Sequence, residues 1–225
     1  MTRSVLMLLA LLAAVPAIAA ERRFDTSGFD KVALSSSDNV VVRRGSDFAV
    51  VAAGDAAELG RLDIKVENGT LNIGRKNAIW NRSSKDVTVA VTLPALHGLA
   101  LSGSGNIQAD KIAADVLDVR LAGSGKIALA ALDAKTANIR IAGSGAVEAA
   151  GRCGALNLRV AGSGNADLAG LRCTNAAIAV AGSGDVGAHV AGDAAVRVAG
   201  SGNVTIAGGA RCTKKIAGSG NVVCS

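Results

Sequence analysis

The sequence predicts an all-β fold, a single-stranded parallel β-helix or β-solenoid, right-handed, with coils of 18–20 residues. Three observations predict it. The phrase Gly-Ser-Gly begins at Gly103, Gly123, Gly143, Gly162, Gly182, Gly200 and Gly218, in steps of 20, 20, 19, 20, 18 and 18 residues. A fixed period of this length marks stacked repeats, each of which buries its apolar face only against its neighbours. Around each phrase apolar and polar positions alternate. Leu101, Leu121, Ile141, Val160, Val180, Val198 and Ile216 stand two places before the first glycine, and Ile107, Ile127, Val147, Ala166, Val186, Val204 and Val222 four places after it. Period two is the signature of a strand with one buried face. Finally, the chain has no Tyr, one Trp and three Phe. Ala, Val, Leu and Ile fill the narrow interior that a short coil encloses.

The first residues are read as an export signal. "MTR" is basic, "SVLMLLALLAAVPA" is a short apolar run, and "AIAA" supplies small residues, with cleavage after Ala19 or Ala20. The signal carries one base, Arg3, and no acid, so the net charge of +6 falls to +5 on its removal. No later stretch is apolar enough to span a membrane as a helix. The expected organisation is a signal at 1–20 and a β-solenoid at 21–225, irregular over 21–100 and regular over 101–225.

Within the irregular part, "FDKVALSSSDNVVVRRG", "FAVVAA", "LDIKVENGTLNIG" and "DVTVAVTLP" read as strands. The Asn-Gly of "VENGTL" signals a tight hairpin. "LSSSDNV" at Leu34–Val40 is a degenerate copy of "LSGSGNI" at Leu101–Ile107, with both glycines replaced. This half is read as the irregular start of the same solenoid with a capping role; a separate small β domain is the alternative.

In the regular part the glycines locate the corners. Fourteen glycines inside strands would cost about 7–14 kcal/mol, comparable to the net stability of a domain. At corners they serve instead, by adopting positive φ or admitting a close backbone. A β-sandwich or barrel gives no reason for a fixed phrase at near-fixed steps. A six-residue recurrence in the last coils (Val198, Val204, Ala210, Ile216, Val222) points to a left-handed form. The longer upstream coils break it and favour the right hand.

"FDKVALSSSDNVVVRRG", "VENGTLNI", "VTVAVTLPALHGLALSGSGNI" and the repeated "GSGN" and "GSGD" corners together resemble the head GIN domain of autotransporter adhesins, over nearly the whole mature chain. The resemblance implies an exported right-handed β-helix with no assigned reaction, and adhesion as the family's role.

The four cysteines suit disulfides in an oxidising compartment. Cys153 and Cys173 each lie nine places before the next Gly-Ser-Gly, in adjacent coils, and should meet within disulfide reach. Cys212 is two coils beyond Cys173, so Cys212 pairs with Cys224. Four reduced cysteines packed in the core are the alternative. No metal and no cofactor are expected: CxxC is absent, and His97 and His189 are far apart.

Several sites fail on inspection. "AGSGKIA" around Lys126 lacks the first glycine and the final Ser or Thr of a phosphate-binding loop. Asp185 alone occupies the corner position where a calcium nonapeptide would need an acid in every coil. What remains is Arg120, Arg140, Arg159, Arg197 and Lys215, three places before their glycines and interrupted by Ala179. They should form one outward column, a candidate ligand-binding face for a linear anion. A plain solvated face that discourages sideways sheet pairing is the alternative. Asp118, Asn138 and Asn157 form the neighbouring row.

The resulting expectation is an exported, non-catalytic solenoid, periplasmic or at the cell surface. It would serve as an adhesin-like or envelope-associated module for an anionic polysaccharide, lipopolysaccharide or another envelope protein. A polysaccharide lyase or hydrolase is the alternative, and would need clustered carboxylates that the sequence does not repeat. Nucleic acid is disfavoured, since stacking aromatics are almost absent.

Overall fold

The computed structural model describes residues 20–76 and 87–225. Residues 1–19 of the predicted export signal, Ala19 included, lie outside them, while Ala20, its last residue, opens the first strand. The described chain is almost entirely β. Strands β1 (Ala20–Phe24), β2 (Lys31–Leu34), β3 (Asn39–Arg44) and β4 (Ala49–Gly54) precede a single helical turn, α1 (Ala56–Gly60). Then come β5 (Leu62–Glu67), β6 (Thr70–Arg75), β7 (Thr88–Leu93), β8 (Gly98–Gly103) and β9 (Asn106–Asp110).

The regular coils follow as long bent strands: β10 (Ile112–Gly123), β11 (Lys126–Gly143), β12 (Ala146–Gly162) and β13 (Asn165–Gly182). The last coils are divided more finely into β14 (Val186–Val190), β15 (Asp193–Gly200), β16 (Asn203–Ala207), β17 (Arg211–Ala217) and β18 (Asn221–Cys224). All eighteen strands belong to one continuous sheet.

From β8 onward every lateral pairing is parallel, and the expected repeat is the register. Leu101 pairs with Leu121, Leu121 with Ile141, Ile141 with Val160, Val160 with Val180, Val180 with Val198, and Val198 with Ile216. The second apolar row stacks likewise, Ile107 on Ile127 on Val147 on Ala166 on Val186 on Val204 on Val222. These side chains are buried except Ile216 in the terminal coil. The Gly-Ser-Gly corners pile directly on one another: Ser124 N donates to Gly103 O at 3.1 Å, and Ser144, Ser163, Ser183 and Ser201 repeat the bond one coil further each time.

Both reasons for glycine hold, one at each end of the phrase. Gly123 has φ of 122°, where an L side chain is strained. Gly125 has ordinary φ, but a Cβ there would lie 2.2 Å from Gly105 O and 2.7 Å from Leu101 Cδ2.

The N-terminal half departs from a simple irregular start. The β2–β3 coil is not at the end of the stack. β2 pairs in parallel with β6 on one side and β8 on the other, and β3 with β7 and β9. Residues 31–44 are thus a layer inserted between two later layers. The degenerate copy stacks as its alignment requires, with Leu34 on Leu101 and Val40 on Ile107. Beyond this point the pairing turns antiparallel. β1 lies on β4, β4 on β7, and the hairpin β5–β6 folds at Asn68 and Gly69, both with positive φ, as the Asn-Gly signal requires. Antiparallel edges in place of another coil are what close this end of the stack.

Candidate ligand-binding face

The strand that leads into each Gly-Ser-Gly corner before the terminal one turns the residues two and four places before it to the core and those one and three places before it to solvent. Three places before the corner, an outward column runs Ala33, Ala100, Arg120, Arg140, Arg159, Ala179, Arg197, Lys215, each paired with the next across the ladder. At the inter-strand spacing of about 4.8 Å, Arg120 and Lys215 are on the order of 24 Å apart. The five sequence-predicted cations therefore do form one row, with the predicted gap at Ala179.

Nothing neutralises that row. Among the described residues none of the five makes a side-chain hydrogen bond or an ion pair. Four other exposed cations of the same coils behave differently, although Arg172, outside the column, is unpaired as well. Lys126 meets Glu148 at 2.6 Å, Lys135 meets Asp115 at 2.9 Å, Arg152 meets Asp133 at 2.5 Å, and Arg211 meets Asp193 at 2.8 Å. Each of these has its acid in the adjacent coil. The acid nearest the row, Asp118, is used elsewhere: Asn138 Nδ2 donates to its carboxylate at 3.0 Å, and Asn157 Nδ2 to Asn138 Oδ1 at 2.9 Å. Like charges one coil apart repel by on the order of 1 kcal/mol in water. The row keeps that repulsion while its neighbours relieve theirs.

Beside the row lies an open trough of about 910 Å³. One margin is the cation row. The floor is a second outward column, one place before each corner, made of Ala122, Ala142, Ala161, Ala181, Ala199 and Ala217, all exposed. This alanine floor is not among the sequence-predicted features. Its signal was in view, because an outward position that holds Ala in six successive coils is unusual for a solvated strand face, where polar residues are expected. The trough thus offers guanidinium and ammonium donors along one margin and methyl groups beneath.

Comparison with known proteins bears on what this face belongs to. The family model described as "Putative auto-transporter adhesin, head GIN domain" matches residues 28–210. The chain belongs to this family. Solved structures share the fold across almost the whole head GIN chain. A "putative adhesin" from Bacteroides fragilis superposes with a TM-score of 0.88 at 20% identity, covering 93% of this chain and 98% of its own. A "putative lipid binding protein" from Parabacteroides distasonis reaches 0.72 at 21% identity, covering 93% and 98%. A "putative adhesin" from Parabacteroides merdae reaches 0.72 at 15%, covering 93% and 97%. No curated protein matches.

The remaining predicted residues of this head GIN protein fall as follows. Cys153 and Cys173 are in register with Cα atoms 4.5 Å apart and their sulfurs at bonding distance. Cys212 and Cys224 are likewise bonded, with Cα atoms 6.7 Å apart, and tie the two sides of the terminal coil. The histidines do not meet. His97 Nδ1 lies 3.2 Å from Asp30 Oδ2, and His189 sits over Gly208. No cluster of three or more potential metal ligands exists among the described residues, and none of their helices is long and apolar enough to cross a membrane.

One polar cluster escaped sequence reading. Asp38, fully buried, occupies the corner position that Gly105 holds one coil above, where Asn106 N donates to Asp38 O at 3.1 Å. Its carboxylate accepts from Arg75 Nε at 2.8 Å, Ser36 Oγ at 2.7 Å and Val87 N at 3.0 Å. Arg75 also pairs with Glu58, which in turn holds Arg61 at 3.0 Å. Burial pushes the Asp38 carboxyl up, but the hydrogen bonds from Arg75, Ser36 and Val87 and the guanidinium charge outweigh it and hold it below the usual range. Every partner is internal, so the cluster is a structural device within the corner. Arg75 stands 37 positions from Asp38 and 17 from Glu58, and no local spacing signals their meeting.

Proposed function

We propose that this head GIN protein is a non-catalytic, extracytoplasmic binding module that holds an elongated anionic molecule of the cell envelope along its cation row. Acidic polysaccharide and lipopolysaccharide are the two candidates. The observation that carries the reading is that five cations stacked in one column all lack a side-chain partner, while four others in the same coils are paired across coils and Arg172 stands unpaired outside the column. A row that tolerates unrelieved repulsion gains the most from an external anion, and arginine supports this because its planar fork binds phosphate and carboxylate in a bidentate fashion. Family membership supports an adhesin-like role, and two disulfides support an oxidising compartment. The structural relative described as a "putative lipid binding protein" lends support to the lipopolysaccharide candidate.

The test is the triple variant Arg120→Ser/Arg140→Ser/Arg159→Ser, compared with wild type on heparin and lipopolysaccharide resins at two salt concentrations. Wild type should be retained and should elute with salt, while the triple variant runs through. Equal retention of both proteins, insensitive to salt, overturns the reading and leaves the row as a charged guard against sideways sheet pairing.

A further inference from the structure

The trough says more about its occupant than its charge does. A polysaccharide presents hydroxyl groups that both donate and accept, and sites that hold one answer with amides, carboxylates and aromatic platforms. From Arg120 to Lys215 this trough has only cationic donors at its margin, and hydroxyl groups, those of Ser35 and Ser102, line only the end beyond Arg120. Its floor is a line of methyl groups, and the Asn138 and Asn157 amides of the neighbouring row are spent on their own ladder. Methyl groups offer nothing to a hydroxyl, but they do favour hydrocarbon, which loses water on contact with them.

The charge along the trough is also uneven. Arg120, Arg140 and Arg159 are consecutive. In the next coil the column holds Ala179, so the alanine floor widens to Ala179 and Ala181 side by side. Past it the floor continues through Ala199 to Ala217 in the terminal coil. The long stems of Arg197 and Lys215 flank this stretch, and such stems cover apolar surface while their charged ends stay in water.

We infer that the occupant is a phosphate-headed lipid lying lengthwise in the trough, its headgroup clasped by Arg120, Arg140 and Arg159 and its hydrocarbon chain running over Ala179 and Ala181 toward Ala217. This rests on the anionic-ligand reading above and narrows it to one class and one orientation.

Ala179 provides the decisive variant. Ala179→Arg completes the cation row, so it strengthens binding of a purely ionic polymer, yet it places a guanidinium across the path of the chain. The proteins are wild type, Ala179→Arg, Arg197→Ser/Lys215→Ser and the triple variant Arg120→Ser/Arg140→Ser/Arg159→Ser, each checked for an unchanged thermal midpoint. The probes are heparin and a series of lysophosphatidates of increasing chain length, kept below their micelle-forming concentrations.

For wild type, affinity should rise about two- to fourfold per added methylene, as for a chain removed in part from water. Ala179→Arg should weaken the longest lysophosphatidate at least about fivefold while binding heparin more tightly than wild type. The Arg197/Lys215 pair should cost that lipid less than about threefold, and the triple variant should abolish its binding. Lysophosphatidate affinity independent of chain length, with heparin binding intact, overturns the lipid and leaves the anionic-ligand reading standing. A loss from Arg197→Ser/Lys215→Ser equal to that of the triple variant overturns the orientation. Absence of binding to either probe by wild type overturns both readings. Should Ala179→Arg fail to fold, the chain-length series on wild type still decides.

Discussion

Two corners of the molecule do the same task by different means. In the regular coils the chain turns at Gly-Ser-Gly, with no side chain inside the bend and each backbone touching the one below. In the β2–β3 layer the corresponding turn is Ser36-Ser37-Asp38, and a buried carboxylate enters the interior where a glycine would leave room. Asp38 can do so because Arg75 and the Val87 N–H come to meet it, from a layer stacked on the other side. The comparison teaches that the corner needs satisfied polar groups and close approach more than it needs glycine as such. Repetition provides both cheaply, since every corner donates to its identical neighbour. Where repetition ends, a specific ionic cluster takes over.

The largest effect should come from the regular corner. Gly143→Ala puts a side chain at φ of 118° and a Cβ 2.5 Å from Gly123 O, and should cost about 2–4 kcal/mol in denaturant unfolding. Next in size is the ionic cluster. Asp38→Asn removes the carboxylate that accepts from Arg75, Ser36 and Val87, leaves Glu58 paired with Arg75, and should cost about 1–3 kcal/mol by the same assay. The acid dependence follows from the same group. Its folded-state carboxyl titrates below the ordinary value of 3.8, so its contribution is fully present above that value and is lost as pH falls through the folded-state one. Wild type and Asp38→Asn should therefore converge in stability in strong acid. A gap that persists unchanged there would assign the cost to packing.

The comparison sharpens if Ser37→Ala, at a corner that already carries side chains, costs less than about 0.5 kcal/mol. Removing the Cys153–Cys173 bond as a double serine variant should cost about 3 kcal/mol by loop closure, with coils 112–182 still stacked by hydrogen exchange. Smallest are the surface cations. Arg140→Ser, which removes an unpaired charge from a repelling row, should leave the thermal midpoint level or slightly raised. Arg152→Ser, which breaks the exposed pair with Asp133, should lower it slightly.

How much of this was legible in the sequence depended on whether it repeats. The coil, the corner, the stacking of Arg120 on Arg140 on Arg159, and the pairing of Cys153 with Cys173 all follow from one period, because a parallel ladder converts equal spacing into contact. The gap at Ala179 was readable for the same reason. The alanine floor was readable too but lies outside the predicted features, since a small apolar side chain reads as core until its outward phase is counted. The inserted layer was out of reach. "LSSSDNV" matches "LSGSGNI" in sequence, and the match does fix which residues stack, but nothing local says that residues 70–75 and 88–93 lie on the other side of it. Asp38 and Arg75 were hidden for that reason, since their meeting depends on a layer order that only tertiary pairing sets.

The layer order also bears on how the chain acquires its shape. From β10 onward a coil can settle as soon as its own 18–20 residues are available, against a surface already in place. Residues 31–44 have no such surface: Lys31 finds one lateral partner at Thr70 and the other at Gly98, and Asn39 finds its second at Asn106. A polypeptide emerging from its N-terminus must therefore leave its first segment waiting until about half the chain has appeared. Closing loops of that span is the slow step for a topology rich in distant pairings. The seed of the stack is thus a layer that must wait for partners far along the chain, and everything after it grows like courses of brick laid on a keystone.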